Sequence, residues 1–135
     1  MNTEEKFLEE LRKKKSKEDY TLINLFDKIK LPYKYRHPIK IGNKKIIPKF
    51  IIFDAIIIID DKLAEDENKV NIIKGSRDYS YLSLKNTTIN NFKDLIYKLY
   101  QILTKLKEMN IPRAERVRGS LYLEYKGFFE KELIN

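Results

Sequence analysis

The sequence predicts an α/β or α+β fold, a single layer of mixed β-sheet flanked by helices, on three observations. The stretch Lys44–Lys62, KKIIPKFIIFDAIIIIDDK, holds eight isoleucines and is the most β-prone part of the chain. Ahead of it, Tyr20, Leu22, Ile23, Leu25, Phe26 and Ile29 recur at helical spacing. Behind it, Phe92, Leu95, Ile96, Leu99, Ile102, Leu103 and Leu106 make one continuous apolar helix face. The expected order is α-α-β-β-β-(α)-β-α-β-α.

Each element follows from a local signal. Asn2 or Thr3 followed by Glu4 and Glu5 starts a helix, because carboxylates are favoured at the positive end of the helix dipole. Ser16 with Asp19 three residues on starts a second, or a bend in one long helix, and Pro32 ends the run. The period then drops to two: Tyr33, Tyr35, His37, Ile39 and Ile41 alternate with Lys34, Arg36, Pro38 and Lys40. That pattern predicts a half-buried strand with a basic outer face, at a sheet edge because of Pro38. Gly42-Asn43 predicts a tight hairpin into the isoleucine-rich stretch.

At 19 residues that stretch exceeds one ordinary strand. A bend at Phe53-Asp54 gives one strand over about Lys45–Ile52 and another over about Ala55–Asp60, with Ile56–Ile59 buried on both faces at the sheet centre. Val70–Lys74 suits a short helix or strand, and Tyr79–Leu84 a strand. Asn86-Thr87-Thr88 offers cap chemistry for the long helix that Asn110-Ile111-Pro112 stops. Leu121, Leu123 and Tyr125 alternate with polar neighbours and predict a last strand before a short terminal segment. No repeat or linker divides the 135 residues, so one domain over 1–135 is expected.

Composition excludes several chemistries. There is no cysteine, hence no disulfide scaffold, thiolate zinc site or thiol nucleophile. The one histidine, His37, excludes a multi-histidine metal site. An acidic N-terminus without an apolar signal core, and no apolar run near the ~20 residues of a membrane span, predict an intracellular, cytoplasmic protein with no membrane partner. Lys+Arg number 28 against 20 Asp+Glu, a net charge of +8. That balance favours polyanion partners, nucleic acid and DNA above all, although a lysine- and isoleucine-rich chain reaches the same figure with no such partner.

Two kinds of candidate residue emerge. Asp54 at the bend and Asp60-Asp61 at a strand end are the candidate metal ligands, oxygen donors suited to Mg²⁺, provided adjacent strands bring them together. Lys62 beside them would stabilise phosphoryl charge, making Asp60 and Lys62 the candidate catalytic pair. The same residues also suit a plain solvated turn. The basic candidates are Arg113, Arg116 and Arg118, half of the chain's six arginines, together with Lys34, Arg36 and Lys40 on the outer face of the first strand. Arginine's planar fork matches phosphate oxygens. Arg12 to Lys17 add a further basic cluster.

The helical lead-in, then KLPYKYRHPIKIGNKKIIPKFIIFDAIIIIDDK, then DYSYLSLKNTTINNFKDLIYKLYQIL, resembles the PD-(D/E)XK restriction-endonuclease-like superfamily, in its small very-short-patch-repair-endonuclease-like branch. The resemblance covers about Leu31 to Leu103. It implies a strand bearing Pro-Asp that runs antiparallel to one ending in an acidic-x-Lys signature, with a later strand and a long helix. Asp60-Asp61-Lys62 fits the acidic-x-Lys half, whereas the Pro-Asp-Phe position carries Pro48-Lys49-Phe50. Lysine there removes a metal carboxylate and puts a cation where Mg²⁺ would sit, which implies a lost or altered metal site. Three functions follow as expectations: a basic nucleic-acid-binding protein on a nuclease-like fold; an active Mg²⁺-dependent endonuclease using Asp54, Asp60, Asp61 and Lys62; or a non-enzymatic homodimer built on the Leu121-Leu123-Tyr125 face or the long helix.

Overall fold

A computed structural model describes residues 2–134. Two helices open the chain, α1 (Thr3–Lys13) and α2 (Lys17–Lys28). Asn2 caps α1, its side-chain oxygen accepting from the Glu5 amide at 2.7 Å. Ser16 caps α2 in a reciprocal box: Asp19 N–H donates to Ser16 Oγ at 3.1 Å, and Ser16 N–H donates to Asp19 Oδ2 at 3.3 Å. The chain therefore makes two helices here, not one bent one.

Five short strands follow: β1 (Tyr33–Tyr35), β2 (Ile39–Ile41), β3 (Lys44–Ile46), β4 (Phe50–Ile52) and β5 (Ile56–Ile59). The expected single strand over Tyr33–Ile41 is broken after Tyr35, where Arg36 takes φ 54° and His37 is exposed. The expected strand over Lys45–Ile52 is broken too, by Ile47-Pro48-Lys49. The cause is the pairing on each side of the break. β2 and β3 zip into their own two-stranded sheet across Gly42-Asn43, with Gly42 at φ 60°, a value that glycine adopts freely. β1 and β4 pair antiparallel in the main sheet. The bend at Phe53-Asp54 is present, both residues lying at positive φ (52° and 60°).

The chain continues through α3 (Asp61–Ala64), α4 (Glu67–Lys74), β6 (Ser80–Ser83), α5 (Asn86–Asn90), α6 (Phe92–Glu108), α7 (Ala114–Glu124) and α8 (Lys126–Ile134). The main sheet runs β1-β4-β5-β6. β4 is antiparallel to both its neighbours and β6 is parallel to β5, so the sheet is mixed and β5 is central.

Strand alternation sorts the isoleucines into two cores. Phe50, Ile52, Ile56 and Ile58 face α2, α6 and α7 in the larger one. Ile51 and Ile57 face the opposite side, packing with Ile39 and Ile46 of the small hairpin and Ile73 of α4. Burial on both faces is why Ile56–Ile59 is an unbroken apolar run.

The expected strand at Leu121–Tyr125 is the end of helix α7. Ala114, Val117 and Leu121, three and four residues apart, are its buried positions, while Leu123 is 73 % exposed. Leu121, Leu123 and Tyr125 therefore share no strand face. Among the described residues, no helix is long and apolar enough to cross a membrane.

Candidate functional site

Asp19 is the only charged side chain in the described core, 2 % exposed. It lies on the apolar face of α2, in helical register with Leu22 and Phe26. Burying a carboxylate there is tolerable only with partners. Asp19 Oδ2 accepts from the Tyr35 hydroxyl at 2.8 Å, in addition to the Ser16 amide. Asp19 Oδ1 stands 3.1 Å from Lys49 Nζ.

The same ammonium is 3.2 Å from Asp60 Oδ2. Three sequence-distant elements thus meet at one nitrogen: α2 through Asp19, the segment before β4 through Lys49, and the end of β5 through Asp60. Asp60 also caps the short helix α3, its Oδ1 accepting from the Leu63 amide at 2.8 Å. Pro48 positions the lysine: it is buried, and it interrupts the ladder where the chain passes from one sheet to the other.

The electrostatics are those of a partly buried, satisfied network. Burial alone would raise the Asp19 pKa, yet hydrogen bonds from Tyr35 and Lys49 and the charge of Lys49 outweigh it and hold the carboxyl below its ordinary value. Burial alone would likewise lower that of Lys49, but the hydrogen bond and charge of Asp19, followed by Asp60, hold it above the ordinary lysine value. Burial raises the Tyr35 pKa, and Asp19 adds to that effect while Arg36 opposes it. No described side-chain polar atom is buried without a hydrogen-bond partner.

Cations crowd the solvent side of this network. Arg36 Cζ lies 5.6 Å from the Tyr35 ring centroid and Lys15 Nζ lies 5.2 Å from it. Arg12 donates to the Arg36 carbonyl at 3.4 Å, and Lys15 donates to the Arg12 carbonyl at 2.7 Å. The Arg36 amide donates to the Lys49 carbonyl at 2.8 Å, which fixes the two residues side by side. On the other side, Lys49, Asp60 and Lys62 line a cleft of about 180 Å³. Arg12, Lys15, Arg36 and Lys62 form no ion pair among the described residues.

Of the residues expected from sequence, Asp60, Lys62 and Arg36 therefore come together around Lys49. The three carboxylates expected to hold a metal do not. Asp54 sits at the opposite end of β5, where it pairs with Lys34 at 3.3 Å, and a rise of roughly 3.3 Å per strand residue puts it about 15–20 Å from Asp60. Asp61 points elsewhere and accepts from the Asn86 amide at 3.1 Å. Among the described residues no group of three or more carboxylate or imidazole side chains is placed to hold a metal ion.

The six basic candidates do not form one surface. Lys34 is taken by Asp54, and Lys40 lies on the separate hairpin opposite Lys45, which pairs with Glu4. Arg113 precedes helix α7 as its N-cap residue, at φ 70°, and Arg116 and Arg118 lie within that helix. At 3.6 residues per turn, Arg116 and Arg118 point roughly 160° apart. Arg118 lies along α6, its guanidinium 5.6 Å from the Tyr100 ring centroid and 3.4 Å from Thr104 Oγ1.

Asp19 and Tyr35 enter the site without having been singled out for it, whereas Arg12 and Lys15 come from the basic cluster Arg12 to Lys17. The available signal was Asp19 itself, a carboxylate in register with the apolar stripe of its helix. No family model matches the chain, and neither the curated proteins nor the solved structures give a match.

Proposed function

We propose that this chain is a nucleic-acid-binding protein, DNA being the expected ligand, whose nuclease-like site has an ammonium in place of a divalent cation. The observation that carries this reading is Lys49 Nζ, 3.1 Å from Asp19 and 3.2 Å from Asp60. A divalent ion would have to sit between those same two carboxylates, and the lysine ammonium already pairs with both. The resemblance to the PD-(D/E)XK superfamily is supported by element order: the Pro48-Lys49-Phe50 segment enters a strand antiparallel to the one that ends at Asp60-Asp61-Lys62, with β6 and the long α6 after it.

With the carboxylates occupied internally, the outward chemistry of the site is cationic. Arg12, Lys15, Arg36 and Lys62 stand around it with hydrogen-bond capacity and charge not used by any described carboxylate. Phosphate oxygens are the ligand that such a group takes, Arg36 through its planar fork and the lysines as point charges. Binding of this kind needs only phosphate contacts and involves no hydrolytic step.

The test is a charge-removal series read by fluorescence anisotropy on a labelled DNA duplex and on a labelled single strand. Arg12→Ala, Lys15→Ala and Arg36→Ala should each weaken binding, with effects that accumulate. Arg113→Ala with Arg116→Ala is the control at helix α7 and should leave affinity within about twofold. The opposite result, loss only with the α7 pair, would move the interface to that helix and refute the assignment.

A further inference from the structure

We infer that the free edge of β6 is a docking strand for an extended, acidic segment of a partner protein. Among the described residues β6 ends the main sheet, with β5 on one side and no strand on the other. Ser80 N–H donates to the Ala55 carbonyl and Leu84 N–H to the Ile59 carbonyl, both at 3.0 Å. Strand alternation then turns the amides and carbonyls of Tyr81 and Ser83 away from β5, towards solvent. An unpaired edge of this kind is a template for one more strand.

The surroundings of the edge fit such a segment. A groove of about 450 Å³ runs beside β6, between the end of α4 and the end of α6. Its apolar wall includes Tyr81, 39 % exposed, and Met109, 50 % exposed. These are two of the few large apolar side chains that the described fold leaves open. An added strand would place alternate side chains against them, which is how an extended ligand gains sequence preference.

Charge selects the class of partner. Lys74 and Lys105 line the groove, and among the described residues no carboxylate does. Neither lysine forms an ion pair among the described residues; Lys74 instead lies with Nζ 5.7 Å from the Tyr81 ring centroid. Two free ammonium groups beside a hydrogen-bonding edge attract Asp or Glu side chains on the incoming strand. They also oppose a second copy of this chain, because an edge-to-edge pair would bring the same lysines together. The groove lies at the Ile56 end of β5, whereas Asp60 and Lys49 lie at its other end, so the two sites are separable by mutation.

The experiment uses the full chain and three fluorescein-labelled octapeptides: alternating Glu and Ile, the same with Lys for Glu, and the first with Pro at every second Ile. The Glu-Ile peptide should bind, the Lys twin should not, and the Pro twin should lose binding because it cannot donate to the ladder. Lys74→Glu with Lys105→Glu, both exposed positions, should weaken the Glu-Ile peptide at least about tenfold and admit the Lys twin. Hydrogen exchange should slow at the Tyr81 and Ser83 amides when the Glu-Ile peptide is added. Equal binding of the Pro twin, no binding at all, or an unchanged double variant would overturn the inference. So would displacement of the peptide by an oligonucleotide, or sedimentation as a dimer that Tyr81→Pro dissociates, since these assign the edge to a nucleic acid or to a second copy.

Discussion

Replacing Lys49 by methionine keeps the apolar stem and removes the charge that joins Asp19 to Asp60. Asp19 would retain the Tyr35 hydroxyl and the Ser16 amide, and Asp60 the Leu63 amide. The two carboxylates, now held near each other by α2 and β5, would lack any counter-charge. Removing one partner of a buried ion pair costs about 3–5 kcal/mol. The side chains of Lys49 and Asp60 are 19 % and 12 % exposed, which places the expected loss near the lower end, about 3 kcal/mol at pH 7. The pH dependence has a definite sign. Asp19 has a lowered pKa in the folded protein, so its contribution is present above the unfolded aspartate value of about 3.9 and is lost as pH falls through the folded value. Lys49 has a raised one, so its contribution is present below the ordinary lysine value and is lost as pH rises through the folded value. In Lys49→Met, burial without a counter-charge pushes the Asp19 pKa upward, and protonation then relieves the penalty. Urea unfolding at pH 7 and pH 4 should therefore show a gap from the parent protein that narrows on acidification. A gap below about 0.5 kcal/mol at pH 7, or one that widens at pH 4, refutes the role assigned to the ammonium.

Three further outcomes are expected. Ile57→Ala, at a position 0 % exposed in the smaller core, should cost about 2–5 kcal/mol in urea unfolding, and a loss under 1 kcal/mol would contradict its central place. Leu121→Ser should be strongly destabilising while Leu123→Ser stays within about 0.5 kcal/mol, a contrast in melting temperature that a strand with both leucines on one buried face would not give. Supercoiled plasmid should remain intact with Mg²⁺ or Mn²⁺, for the parent and for Asp60→Asn alike; nicking by the parent that the variant lacks would restore the endonuclease reading.

Much of the fold was legible because its signals are local and redundant. The Ser16–Asp19 box, Gly42-Asn43, the Phe53-Asp54 bend and the long apolar stripe of α6 each state their own geometry. Leu121 to Tyr125 were misleading because five residues are too short to separate a period of 2 from one of 3.6. Only the longer register with Ala114 and Val117 identifies the helix. The breaks inside Tyr33–Ile41 and Lys45–Ile52 were hidden for a different reason. They arise from which strand each half pairs with, and pairing is not a local property.

The site was half legible. Asp60-Asp61-Lys62 at a strand end and Lys49 in place of a carboxylate were visible in order along the chain, but their partner was not. Asp19 looked complete as a capping residue; its second oxygen, turned to Lys49, is a tertiary fact. The metal trio failed on direction. Asp54 and Asp60 lie just beyond the two ends of β5, so no folding of its neighbours can bring them together. The arginines near the end of the chain failed on periodicity, since a helix spreads what a short segment in the sequence places side by side.

The most direct test of the central claim is affinity for a short DNA duplex measured against salt concentration in the presence of EDTA. If Arg12, Lys15, Arg36 and Lys62 engage phosphates around the Lys49 site, log affinity should fall with log salt at a slope of about −3 to −4, with no divalent cation required. Arg36→Ala should reduce the slope by about 0.9. Affinity that is flat in salt, or binding that appears only when Mg²⁺ is supplied, would contradict it.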